Sequence, residues 1–300
     1  VIRLLARTKT IVILISVKVS QKVGILNATT DKVLVNVGVL QMQEKTNRIV
    51  KWLSASDPST NHNKALGQHH DGTGLWFIHW DIFKEWKKQT SSFLWLHGIS
   101  GCGKTVLSST IIEHLKQDTT CHLLLYFYFD FNDEKKQSLD NLLRSLVEQI
   151  YQSQPSGWHP LEQLWASHSE GSRQPSTSSL QSVLQLMLSG SGSVSIVLDA
   201  LDESKPRGEL LAWLKTLVES TQVTCRVLVT ARREEDIESA LECWTRDVDR
   251  IAIQQNEVNK DISVYVKDRV RNGDDLKRWR SRPDLQKEIE TKLMEKAGGM

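Results

Sequence analysis

Three hundred residues, 25% of them charged and 39% hydrophobic, have an ordinary soluble composition and enough length for one large core or two modest ones. The formal net charge is +2, and Lys and Arg are scattered rather than clustered with aromatics, which argues against a nucleic-acid groove or another polyanion partner. No segment reaches the apolar length of a membrane span, and Cys102, Cys121, Cys225 and Cys243 show neither disulfide nor metal-ligand spacing, so a reducing, cytoplasmic setting is expected.

Residues 1–47 are the least legible part, with β-branched runs at 11–15 and 33–39 that fit strands weakly. The first run is short and flanked by Lys9 and Lys18, which favours a strand over a secretion signal. The chain begins at Val1 and stops at Gly298-Gly299-Met300, directly after a charged helical pattern, as a fragment of a longer protein would. Residues 48–91 read as a linker and pre-core segment. Within it, 54–74 is rich in Ser, Asn, His, Asp and Gly, a loop composition. Trp76-Phe77-Ile78 suggests a short strand or turn, and Ile82, Phe83 and Trp86 a helix with an aromatic face. His62, His69, His70, Asp71 and His79 match no metal-site spacing and read as solvated loop residues.

Between 92 and 255 strand and helix patterns alternate, which predicts an α/β fold: a mainly parallel five-stranded sheet flanked by helices. Strand patterns cover 93–96, 123–129, 195–198, 226–230 and 250–253; helical ones cover 104–117, 138–151, 180–188, 209–218 and 258–271. Leu139, Leu142, Leu143, Leu146, Val147 and Ile150 form one apolar stripe that reads as core. Residues 153–178 form a polar insertion with Trp158 and Trp165 as anchors, and 256–300 read as the truncated start of a helical subdomain.

The most specific chemistry lies in Gly98-Ile99-Ser100-Gly101-Cys102-Gly103-Lys104-Thr105, a G-x-x-x-x-G-K-[ST] match between a strand pattern and a helix pattern. Glycines let successive backbone N–H groups turn inward, and the helix N-terminus adds favourable potential for a polyphosphate. Lys104 is placed to reach the β- and γ-phosphates and the Thr105 hydroxyl to ligate Mg²⁺, with Gly98, Ser100, Gly101, Cys102, Gly103 and Val106 completing the binding set. Downstream, Val194 to Asp199 is an apolar strand ending in a carboxylate, expected as a neighbour in the sheet and a second Mg²⁺ anchor. Asp202 and Glu203 follow. Either they cap the next helix, or one of them, Glu203 first, positions or deprotonates the attacking water. A third strand ends in Thr230-Ala231-Arg232-Arg233, where Thr230 and Arg232 can face the γ-phosphate. Alternatively the arginines pair with Glu234, Glu235 or Asp236, the favoured reading for Arg233. Guanine readout needs N-K-x-D, and the nearest stretch, Asn259-Lys260-Asp261-Ile262, ends in Ile, so adenine is favoured by elimination.

These segments together resemble the NACHT group of STAND P-loop ATPases, in particular fungal forms related to vegetative-incompatibility proteins and the nephrocystin-3-like N-terminal region. Gly98 to Thr105 resembles the Walker A loop and Leu198 to Glu203 its Walker B strand. Val229 to Ile237 resembles the sensor strand, with Ala231 where Ser is usual. Gly72 to Phe77 resembles the fungal pre-core segment, which by analogy brings Thr73 and Gly74 to the adenine; Trp76 then packs the segment down or is simply core. The resemblance implies an ATP/ADP switch with slow hydrolysis: ADP holds a closed state and ATP promotes self-association. It also implies ankyrin or WD repeats elsewhere that sense a protein or other ligand. A nucleotide-stabilised scaffold without turnover stays open, because Ala200 stands where many fast ATPases place their base.

Overall fold

The computed structural model describes residues 38–70, 72–119, 121–153, 159–253 and 255–297. It divides into two compact units, 1–52 and 53–300. In the first, residues 38–52 are helical (α1), with Arg48 paired to Glu44 one turn away. The strand expected at 11–15 lies outside the described residues; of the one expected at 33–39 only 38 and 39 are described, and they open α1.

The second unit is built on a five-stranded parallel sheet in the order β2-β3-β4-β1-β5. Its strands are β1 (Ser92–His97), β2 (Leu123–Tyr128), β3 (Val194–Asp199), β4 (Cys225–Ala231) and the short edge β5 (Arg250–Ala252). β3 and β4 are buried at every position, which is why their sequences run apolar without alternation. The acidic strand is not the immediate neighbour of β1, since β4 lies between them. Sequence order gave no sign of this, because parallel strands are joined by crossovers whose placement depends on packing.

Helix α5 (Lys104–Lys116) packs on β2, β3 and β4 through Leu107, Ile111, Ile112 and Leu115, which join Leu94, Leu96, Val197 and Leu228 in one core. Phe77, Phe83 and Trp86 enter the same core. They come from α3 (Leu75–Ile78) and α4 (Asp81–Lys88), and the Trp86 Nε1–H donates to the Val227 carbonyl at 3.2 Å. Of the strand or turn expected at 76–78, the structure has a helical turn, entered through the left-handed Gly74 (φ 74°). Among the other helices, α6 (Leu139–Ser153) packs on β2 and α8 (Thr177–Ser189), and α9 (Arg207–Glu219) meets α10 (Glu235–Glu242). The polar insertion contains α7 (His159–Ser167), anchored by buried Leu161 and Trp165, while Trp158 lies outside the described residues. The charged end forms α11 (Gln255–Asn272) and α12 (Pro283–Ala297), which pack on each other with Arg271 paired to Glu290 at 2.9 Å.

The expected loop at 54–74 holds a helix, α2 (Ser59–Gln68). Asp57 accepts the Ser59 N–H at 2.8 Å near its start, and the residues it buries are His62 and Ala65, so no apolar stripe betrays it. His62, expected in solvent, is 2% exposed, with its ring nitrogens 2.9 Å from the Tyr128 hydroxyl and 2.8 Å from Glu113 Oε1. Burial is the largest cause holding its pKa below the ordinary 6.5. The unfolded chain therefore takes up this proton first, and stability falls as pH drops through about 6.5 toward the lowered folded value. Urea unfolding of His62→Gln is expected to show a flatter decline between about pH 7 and pH 5. An unchanged slope would assign the acid sensitivity to His97 and His114, whose pKa values burial also lowers.

Candidate functional site

β1 ends at His97, and the chain turns through Gly98–Gly103 into α5. Gly101 (φ 79°) and Gly103 (φ 84°) take left-handed conformations that side chains resist. At Gly98 an added Cβ would stand 2.7 Å from the Cys102 sulfur, so the loop closes tightly there. The first intrahelical bond runs from the Leu107 N–H to the Gly103 carbonyl at 2.9 Å, which leaves the preceding amides without an i−4 partner at a positive helix end. Lys104 folds over the loop and donates to the Gly98 and Ile99 carbonyls at 2.8 Å each, with Cys102 Sγ at 3.8 Å. Ser100 and Thr105 are exposed at the open face.

The alternation of strands places Asp199 and Thr230 on the sheet face covered by α5, at adjacent strand ends. Asp199 is 2% exposed, and its Oδ1 accepts the Ser108 hydroxyl at 2.6 Å and the Thr230 hydroxyl at 2.7 Å. Thr105 and Lys104 also favour the ionised form of this carboxylate. Burial nevertheless raises its pKa above the ordinary carboxylate value, so the group gains from a cation beside it. Thr230 does not face an open phosphate position: it is fully buried, and its oxygen accepts the Ala200 N–H at 3.0 Å. Ser108 carried no signal in the sequence, because a serine one turn into a helix is unremarkable there.

The acidic pair separates into two environments. Asp202 Oδ1 accepts the Arg232 backbone N–H at 2.9 Å, and Oδ2 pairs with Arg232 Nε at 3.0 Å; the carboxylate side chain is 5% exposed and the arginine 44%. Glu203 Oε2 accepts the Phe131 N–H at 2.9 Å, and burial, reinforced by Asp202, Asp130 and Asp199, lifts its pKa. Helix α9 starts at Arg207 without a side-chain cap, so neither carboxylate caps it. Arg233 is held by Glu238 at the surface, whereas Arg232 stays with Asp202 at the carboxyl end of β4.

Two pockets flank the loop. One lies between Thr73, Gly74 and Trp76 on one wall and Asp261, Ile262 and Tyr265 on the other, with Gly103 and Val106 at its floor. The other is lined by Gly98–Cys102, Arg232 and Asn259. Asp261 Oδ2 ties the first pocket's walls together, accepting the Gly74 N–H at 2.8 Å and the Trp76 Nε1–H at 3.1 Å. The sequence showed this residue only as part of a failed guanine-reading motif. Asp261→Ala removes the acceptor for both donors, so hydrogen exchange at residues 73–76 is expected to accelerate roughly tenfold, as for loss of about 1.4 kcal/mol. Unchanged exchange would assign the wall's order to packing alone.

Among the described residues no group of three His, Cys, Asp or Glu side chains forms a metal-binding cluster, and no helix is long and apolar enough to cross a membrane. Near the carboxyl end of β3 the Thr105 hydroxyl and the Asp199 carboxylate offer oxygen groups, the donor type that suits Mg²⁺.

The family described as Nephrocystin 3, N-terminal, matches residues 72–232, just over half of the chain. Vegetative incompatibility protein HET-E-1 of Podospora anserina is 26% identical over 201 residues, covering 63% of this chain and only 14% of that protein. The matched family region contains the loop, the acidic strand end and Arg232 on one parallel sheet. This chain belongs to the nephrocystin 3 N-terminal family and carries a NACHT/STAND-like P-loop NTPase domain, related at low identity to a fungal incompatibility protein.

Proposed function

We propose that the second unit is an Mg²⁺-dependent adenine-nucleotide switch with slow hydrolysis. One observation carries the reading: Lys104 and Thr105 on the loop converge with Asp199 and the Asp202–Arg232 pair at the carboxyl end of one sheet. In this reading Gly98, Ser100, Gly101, Cys102, Gly103 and Val106 line the nucleotide, Thr73 and Gly74 flank the base, and Thr105 and Asp199 hold Mg²⁺. Mg²⁺ held there would supply charge neutralisation for the phosphates, Glu203 would accept the proton of the attacking water, and Arg232, if released from Asp202, would be free to pair with the γ-phosphate. That exchange of partners, with Ala200 behind Asp199, supports slow rather than rapid turnover. ATP in place of ADP favours self-association in this cytoplasmic reading, and repeat modules of the kind the resemblance implies would sense the ligand. A nucleotide shifts such an equilibrium only by its difference in affinity for the two states.

The test is equilibrium titration with ADP, ATP and GTP in Mg²⁺. Tight adenine-nucleotide binding, with GTP weaker, is expected; binding of none of them sinks the proposal. The hold of Asp202 on Arg232 also favours a second reading, a nucleotide-stabilised scaffold without turnover. Phosphate release followed over hours separates the two, and complete absence of release selects the scaffold.

A further inference from the structure

Asp199 is gripped from two elements at once. A carboxylate oxygen has two lone-pair directions, and on Oδ1 both are taken, by the Ser108 hydroxyl of α5 at 2.6 Å and the Thr230 hydroxyl of β4 at 2.7 Å. The direction of the Thr230 bond is fixed, because its oxygen already accepts the Ala200 N–H at 3.0 Å and its single proton is left for Asp199. Ala200 delivers that N–H from a left-handed backbone (φ 59°), a conformation that alanine adopts only at a cost. Ser108, Thr230 and Asp199 are all almost wholly buried, so water does not compete for these bonds.

From this geometry we infer that Ser108 and Thr230 are positioning residues for the cation: they saturate Oδ1 and leave Oδ2 as the only oxygen of Asp199 available to Mg²⁺. The inference rests on the nucleotide-switch reading. A carboxylate limited to one free oxygen is a single-point ligand, which suits the strict octahedron of Mg²⁺; Ca²⁺ more readily takes both oxygens. The clamp therefore sets the preference for Mg²⁺ over Ca²⁺ as well as the affinity.

The test measures ADP binding across Mg²⁺ and Ca²⁺ titrations, and in EDTA, for wild type, Ser108→Ala and Ser108→Thr. The Mg²⁺ concentration for half-maximal binding is expected to rise on the order of 10-fold in Ser108→Ala, the usual range for a group that orients a metal ligand. The preference over Ca²⁺ narrows, affinity in EDTA stays within about twofold, and Ser108→Thr restores the wild-type requirement. Thr230→Ser, which keeps the hydroxyl, is expected to match wild type. An unchanged Mg²⁺ requirement in Ser108→Ala overturns the clamp alone, as does an equal loss with and without Mg²⁺, which marks Ser108 as structural. Wild type that binds no nucleotide in Mg²⁺ overturns the clamp and the nucleotide reading together.

Discussion

Replacing Lys104 with Ala is expected to weaken ADP and ATP binding about 100-fold while leaving the fold intact. The ammonium group would donate charge-assisted hydrogen bonds to phosphate oxygens, each worth about 1.5–3 kcal/mol, and losing roughly 3 kcal/mol corresponds to two decades in Kd. The apo fold depends little on this side chain, which opens α5 and bonds two loop carbonyls and the Cys102 sulfur, all within the same loop. Alanine is also the better helix former. Thermal unfolding with and without ADP separates the effects. At ADP one hundred times the wild-type Kd, binding adds about 2.7 kcal/mol to wild type but only about 0.4 kcal/mol to the variant. Equal ligand-induced shifts in both proteins would remove Lys104 from the site, and a lower apo Tm would reveal a structural role instead.

Glu203→Gln is expected to spare nucleotide binding and slow phosphate release by about 10²–10⁴-fold, the usual contribution of a positioned base. Burial and the surrounding carboxylates raise the Glu203 pKa, which makes it a stronger base than a solvated glutamate. Release should therefore increase as pH rises through that raised value, because only the deprotonated carboxylate accepts a proton. Glutamine keeps an oxygen for the Phe131 N–H, so the 3-10 turn Leu201–Glu203 is preserved. If turnover is unchanged, the role passes to Asp202, whose two oxygens are both engaged by Arg232. Single-turnover release at several pH values, with binding measured in parallel, distinguishes these outcomes.

The contrast between these carboxylates shows what a linear reading conveys. Asp202 and Glu203 are adjacent and equally acidic in the sequence, yet one faces a guanidinium and the other a backbone amide of the β2 loop. Their divergence arises in a single 3-10 turn, where successive side chains point about 120° apart. Likewise, α2 was hidden because its buried face is His62 and Ala65, stabilised through Tyr128 and Glu113 far along the chain. Ser108 and Asp261 were hidden for the same reason: each is defined by partners on other elements, at sequence separations of 91 for Ser108–Asp199 and 187 for Asp261–Gly74.

By itself the sequence determined the phosphate-type loop, the apolar strands and the alternation that makes the sheet parallel. Each of these is local: glycine conformational freedom, continuous burial, and the need for a crossover between parallel strands act within a few dozen residues. Only the tertiary structure decided that β4 stands between the loop strand and the acidic strand, that Thr230 lies behind Asp199, and that Asp202 holds Arg232. Those outcomes depend on which crossover helix covers which strand, and so on packing among residues that the chain order keeps far apart.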